Sequence, residues 1–522
     1  MAGKSWSPGW IHDKGLRTLY FLLVIPLLSS SYQGFDGMIM NGLQLLPPWQ
    51  KEFNYPTGPI LGLLNSIQTV GAMVALPFIT WLVDSFGRRR AIAFGASWTI
   101  VGAILQASSK HIPQFIIARL LIGWGLAYTV VASPLLIVEL AAPRHRGSII
   151  SYFGTVWFIG AIIAAWVTFG TRNIPNSWAW RIPSVLQAFP AIIQIVGIFF
   201  VPESPRWLVS KGRGSEAKAI LAKYHANGDS LDSLVELEYA EIKDAVIEDA
   251  NHKQKGSWKD LVRTAPNRRR LLLVFFCGVF IEISGNGLVQ YYLNSILNSI
   301  GITGVTTKTT INGCLSIYNF VIAVVASLYV EKVGRRPLFI ISTAGMLVSF
   351  IIWTTLAALY TTHGTSSYAI GVLVAIFLCH GFYDIGWTPL YSYASELLPF
   401  ETRARGITFQ SGVMHTFGFF GTFVNPIGLK NIGWKYYIAY IVYTILELLF
   451  VWHFIVETRG YTLEQIAQIF DTPNISWKQR RNMKAPGNIL DDSVDGITTP
   501  GEKQTTKSSS TEIVDDSSAE KQ

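Results

Sequence analysis

The chain has 522 residues, 50% of them hydrophobic and only 14% charged, with a mean hydropathy of +0.34. Soluble domains carry roughly 25% charged residues, so this composition excludes an ordinary soluble globule and calls for contact with lipid. The formal charge of +9 does not point to nucleic acid, because the arginines fall in short loops between apolar segments.

About twelve segments are apolar and long enough to cross a ~30 Å hydrocarbon core. They run over residues 19–40, 60–83, 91–108, 114–138, 148–169, 182–201, 271–297, 309–330, 337–359, 367–395, 406–428 and 434–455. The loops that carry Arg88 to Arg90, Arg144, Arg146, Arg268 to Arg270, Arg335, Arg336, Arg403 and Arg405 alternate onto one side. The positive-inside rule makes that side the cytoplasm, with both termini and the central loop. The expected organisation is a cytoplasmic tail (1–18), a six-helix half (19–208), a polar loop (209–270), a second half (271–470) and a disordered cytoplasmic tail (471–522). Apolar residues at helical spacing predict short surface helices in the loop, over 216–224 and 231–247. The Ser- and Thr-rich tail is suited to regulatory kinases or ubiquitin ligases, and its sequon at Asn474 is expected to stay unglycosylated. Cys277, Cys314 and Cys379 read as apolar packing residues.

Short motifs close these segments, and each occurs twice. Asp84-Ser85-Phe86-Gly87-Arg88-Arg89 is echoed roughly 250 positions later by Glu331-Lys332-Val333-Gly334-Arg335-Arg336. Glu139 with Arg144, Arg146 and Gly147 is echoed by Glu396 with Arg403, Arg405 and Gly406. Pro202-Glu203-Ser204-Pro205-Arg206 is echoed by Glu457-Thr458-Arg459-Gly460. Three motifs at nearly one spacing imply two homologous halves, and parallel repeats in a membrane usually build a transporter with its site between them. The guanidinium groups can form bidentate pairs with neighbouring acids, Glu139 and Glu396 above all. Asp84, Arg88, Arg89, Glu139, Arg146, Glu203 and Arg206, with Glu331, Arg335, Arg336, Glu396, Arg405 and Glu457, are therefore expected to form a cytoplasmic gate that latches in one state and breaks in another.

With Pro202 to Leu208 closing the sixth helix and Glu457 to Glu464 closing the twelfth, the chain resembles the sugar porter family of the major facilitator superfamily over roughly residues 19 to 470. Gly34 to Gln44 and Ser284 to Leu293 resemble the fungal lactose permease and cellodextrin transporter branch more than the hexose branch. The expected fold is an all-α membrane protein of twelve transmembrane helices in two pseudo-symmetric six-helix halves, working by alternating access. The resemblance implies a plasma-membrane transporter that imports a sugar with a proton, a disaccharide or a hexose, without cofactor or metal. A uniporter and a non-transporting sugar receptor are the alternatives. No P-loop, H-E-x-x-H or C-x-x-C motif supports an enzyme.

Asp36 lies late in the first segment, where an ionised side chain is costly unless paired, and Arg119 is the basic residue at comparable depth. The family's proton symporters place an Asp and an Arg at these two positions, so they are the expected proton-coupling pair. Sugar recognition needs amides, acids and flat aromatic faces inside the bundle. Glu282, Asn286, Gln290 and Tyr291 share one side of the seventh segment at helical spacings. Asn319, in the position of the family's sugar-facing Asn, joins Asp384, Tyr391, Tyr393 and His415 as candidates from the eighth, tenth and eleventh segments. The chain departs from the family pattern at Ile281 and Glu282, where paired glutamines are usual, at Ala161 for a Gln, and at Tyr391 and His415 for Trp. Ala161 and Tyr391 leave more room, which favours a larger sugar. The spacing of the repeated motifs also relates Asp36 to Glu282, a candidate second titrating site. Glu447, in the last segment, is expected at the bundle periphery with no role.

Overall fold

The computed structural model describes residues 12–143, 145–255, 258–461, 463–472 and 476–482, and all regular structure among them is helical. In lipid every backbone N–H and C=O must be satisfied within the protein, so long apolar stretches have little alternative to the α-helix. The first half contains Lys14–Gln44, Pro59–Phe86, Arg88–Ala107, Ile112–Leu140, Arg146–Thr171 and a sixth span in two pieces, Trp178–Leu186 and Phe189–Ile198. The second contains a seventh span in two pieces, Ala265–Ile283 and Asn286–Ser299, then Val305–Val333, Arg335–His363, Ser366–Leu397, Phe400–Ile432 and Tyr436–Phe454. The tail from residue 483 and the sequon at Asn474 lie outside the described residues.

The ends of these helices follow local chemistry. The first span begins at Lys14, ahead of the expected residue 19, because the Asp13 side chain accepts the Leu16 N–H at 3.0 Å and caps the helix. Two spans expected to be continuous are broken. Pro190 has no N–H to offer the carbonyl four residues back, and the sixth span is interrupted at Gln187 and Ala188. In the seventh, Gly285 takes φ +100°, a conformation that costs other residues dearly, so the helix stops at Ile283 and restarts at Asn286. Glu282 and Asn286 therefore sit on opposite sides of a break.

Each half has its own apolar core, around Leu19, Leu23, Ala75 and Leu136 in the first and Leu288, Phe350, Trp353 and Tyr437 in the second. Large apolar side chains such as Phe21, Phe200, Leu328 and Leu446 stand exposed around the rim, as a lipid-facing surface requires. The halves meet at the end remote from the arginine loops. There Asn41 donates to Asn312 at 2.9 Å, Gln44 donates to the Tyr291 carbonyl at 3.0 Å, Asn294 donates to the Gln44 carbonyl at 2.9 Å, and Lys430 donates to Thr57 at 3.1 Å. In the central loop, Gly214–His225 and Ser233–Lys255 form the two surface helices. His225 joins them to the bundle, facing Glu238 at 2.7 Å and the Leu140 carbonyl at 3.1 Å.

Candidate functional site

Asp36 and Arg119 are both fully buried in the first half, with Nη1 and Oδ1 3.4 Å apart. Three spans supply the donors around the carboxylate. Arg119 comes from the fourth, Gln68 from the second and Gln187 from the break in the sixth, and Gln68 also accepts from Arg119. A buried ion pair is favourable only when its remaining lone pairs and protons are satisfied, and these two amides do that for Asp36. Arg119 Nε has no hydrogen-bond partner among the described residues, so the guanidinium is less completely held than the acid. Gln68 and Gln187 are functional residues that no motif in the sequence marks. Amides inside apolar segments were the available signal.

Gln68 also lines a cavity of about 330 Å³ between the halves. The first half contributes Gln33, Trp157 and Ala161; the second contributes Glu282, Asn286, Gln290, Tyr291, Asn319, Asp384 and His415. Tyr393 is buried against the Val456 carbonyl, away from this cavity, and the Tyr391 side chain lies outside the described residues. Asn286 donates to Gln290 at 3.1 Å, which orients both amides on one face. Asn319 Nδ2 donates to His380 Nδ1 at 3.2 Å, while Asn319 Oδ1 and His380 Nε2 have no partner among the described residues. Both atoms are buried, so this acceptor and this donor sit within the wall rather than at its surface. His380 stands one helical turn before Asp384, so the two share one face of the tenth span. His415 Nδ1 lies 2.6 Å from the Ser411 carbonyl, so Nδ1 carries a proton and Nε2 is left as an acceptor. Among the described residues no lysine or arginine lines the cavity. An anionic solute would therefore meet two carboxyl groups and no cation.

At the arginine-loop end the two halves repeat one device. Gly87 and Gly334, at φ +94° and +99°, turn the chain so that a carboxylate can approach the start of the next helix. Glu203 accepts from the backbone N–H groups of Arg88 and Arg89 at 3.1 and 3.3 Å, and Glu457 from those of Arg335 and Arg336, both at 3.0 Å. Each acid thus caps a helix N-terminus from outside, where unpaired N–H groups favour negative charge. Burial pushes the Glu203 carboxyl above its usual range, against the pull of the backbone N–H groups of Ser204, Arg89 and Arg88. Arg88 makes a bidentate pair with Glu139 at 2.9 and 3.0 Å and lies 3.9 Å from Asp84, and Arg335 meets Glu396 at 3.0 Å. Arg89 and Arg336 take other partners. They donate to the Ile198 and Phe199 carbonyls and to the Trp452 carbonyl, at the ends of the sixth and twelfth spans. Arg206 and Arg405 are half-buried at the same end, and the side chains of Arg146 and Glu331 lie outside the described residues. Among the described residues, the bonds named here stay within one half in each network.

Residues 22–470 match the family model described as "Sugar (and other) transporter". The chain belongs to that family. Among its relatives, the high-affinity glucose transporter of Kluyveromyces lactis is 28% identical over 479 residues, covering 88% of this chain and 86% of that protein. The MFS-type transporter criB of Aspergillus cristatus is 27% identical over 458 residues, covering 88% and 94%. The inward open conformation of the xylose transporter XylE from E. coli matches with a TM-score of 0.71 at 22% identity, over 86% of this chain and 99% of that one. The fold is that of the major facilitator superfamily, and the protein is a multi-pass membrane sugar transporter, not an enzyme.

Proposed function

We propose that this transporter imports a disaccharide with a proton, by alternating access across the plasma membrane with both termini in the cytoplasm. The observation that carries this reading is the buried Asp36–Arg119 pair, tied through Gln68 to the wall of the cavity. Protonating Asp36 removes the charge that holds Arg119, and Gln68, bonded to both, changes partners beside the sugar path. A membrane potential of 100 mV supplies roughly 2.3 kcal/mol per charge, and a tenfold gradient needs about 1.4 kcal/mol, so one proton suffices for accumulation. The preference for a disaccharide rests on Ala161, small and on the cavity wall where the family pattern has an amide. A hexose is the second reading, favoured by the glucose-transporter relative from Kluyveromyces lactis. Uptake of labelled lactose, cellobiose, glucose, xylose and galactose in a transporter-null yeast, with and without a protonophore, tests both parts. Accumulation of glucose alone removes the disaccharide; accumulation untouched by the protonophore removes the proton.

A further inference from the structure

Glu447 was expected at the periphery of the bundle. The structure places it inside the second half, 3% exposed, with Ser284 Oγ 2.8 Å from its Oε2. Ser284 is the last residue before Gly285, so the contact falls on the break of the seventh span, two residues from Glu282 in the cavity wall. The same hydroxyl lies 2.6 Å from the Phe280 carbonyl. A serine hydroxyl has one proton to donate. Two full hydrogen bonds coexist here only when the carboxyl brings a proton of its own and donates it to Ser284 Oγ, freeing the hydroxyl for Phe280.

The surroundings fit a neutral acid. Among the described residues, Cys277 of the seventh span, Tyr443 one turn away on the twelfth and Tyr383 of the tenth are the titratable groups facing this region. The ninth span presents Phe339, Ser342, Thr343 and Met346, and among the described residues no lysine, arginine or histidine lines the adjoining pocket. That pocket, about 20 Å³ with hydroxyls from Ser284, Ser342 and Thr343 on its wall, has room for about one water, a means of passing a proton.

We propose that Glu447 is a positioning residue for the seventh-span hinge, and that its proton holds Ser284 and so fixes the angle at which Asn286–Ser299 leaves the break. The proposal rests on alternating access but not on the identity of the sugar. Loss of the proton strips Ser284 of one of its two bonds, leaves a carboxylate with no cation beside it among the described residues, and loosens the piece that carries Asn286, Gln290 and Tyr291.

Two measurements on the full-length protein test it. The first is a thermal-melting double-mutant cycle in detergent with Ser284→Ala, Glu447→Ala and the double variant, which needs no substrate. The second is equilibrium exchange of labelled glucose and lactose in proteoliposomes at pH values from about 5 to about 9. Glu447→Gln, whose amide donates as the protonated acid does, is expected to exchange within about twofold of wild type in acid and to hold that rate in alkali, where wild type falls. Ser284→Ala and Glu447→Ala are each expected to slow exchange about fivefold with little change in sugar KM, the double variant being no worse than either. Additive melting losses, a Glu447→Gln rate as low as that of Glu447→Ala, or an alkaline fall that persists in Glu447→Gln overturns the proposal. Failure of wild type to exchange either sugar counts against the substrate reading instead, while the melting cycle still decides the contact.

Discussion

The two halves share a scaffold and differ at its centre. At the arginine-loop end they are near copies: glycine at positive φ, an acid capping the next helix, an arginine on a second acid, another arginine on the carbonyls of the last span. At mid-membrane the first half holds Asp36 against Arg119 with two glutamines closing the shell. Glu282, which the spacing of the repeated motifs relates to Asp36, lines the cavity instead, as do Asn286, Asn319 and His415. The braces at the arginine loops are alike in the two halves, and the polar groups at mid-membrane are not. The first half is equipped to hold a charge, the second to offer hydrogen bonds to hydroxyls.

The largest expected effect breaks that division at its charged end. Asp36→Asn keeps the amide-sized shape but removes the titrating group, so the accumulation ratio should fall from tenfold or more to about one, while sugar counterflow persists. Glu282→Gln should leave accumulation intact and act on sugar KM. If Asp36→Asn concentrates sugar like wild type, or Glu282→Gln abolishes accumulation, the two halves do not divide these roles. The next largest effect concerns the size of the cargo. Ala161→Gln restores the larger amide on the fifth span and should raise the KM for a disaccharide about tenfold, the equivalent of about 1.4 kcal/mol, while sparing a hexose. An equal change for both sugars would mean that Ala161 does not set the length of the site.

Which of these features a sequence can disclose depends on how local their cause is. The spans, their number and the duplicated loops follow from apolar runs and glycine-arginine motifs, each a matter of neighbouring residues. Asp36 and Arg119 stood out because a charge in an apolar run is conspicuous. Gly285 is one of many glycines and prolines in the apolar segments that permit a local kink, and only its φ of +100°, packed against Phe350 of the ninth span and Tyr440 of the twelfth, marks it as the place where the helix breaks. Glu447 was misplaced for a related reason. Its burial is set by Ser284 and by the ninth and tenth spans, none of them near it in sequence. Gln68 and Gln187 needed the crossing of four spans to become partners of a single carboxylate.

A smaller effect tests the shared scaffold. Arg88→Gln and Arg335→Gln each leave an acid without its guanidinium, and charged hydrogen bonds of this kind are worth about 2 kcal/mol. Because the two sites are near copies closed within separate halves, each variant should lower the melting temperature by a similar few degrees, and the losses should add in the double variant. Strong non-additivity would show that the networks communicate across the bundle.

The smallest effect separates the two copies of the brace. Burial raises the Glu203 carboxyl above its usual range in the folded protein. For a group raised on folding, the contribution to stability is fully present below its unfolded value, near 4.3, and is lost as pH rises through the folded value. Acidification through that window should therefore raise the melting temperature of wild type relative to Glu203→Gln, whose side chain cannot titrate. The ionised form still receives three backbone N–H groups at neutral pH, from Ser204, Arg88 and Arg89, so the difference should stay within a few degrees. A melting difference between the two proteins that stays constant across that range would mean that those N–H groups offset the burial of the carboxylate in full.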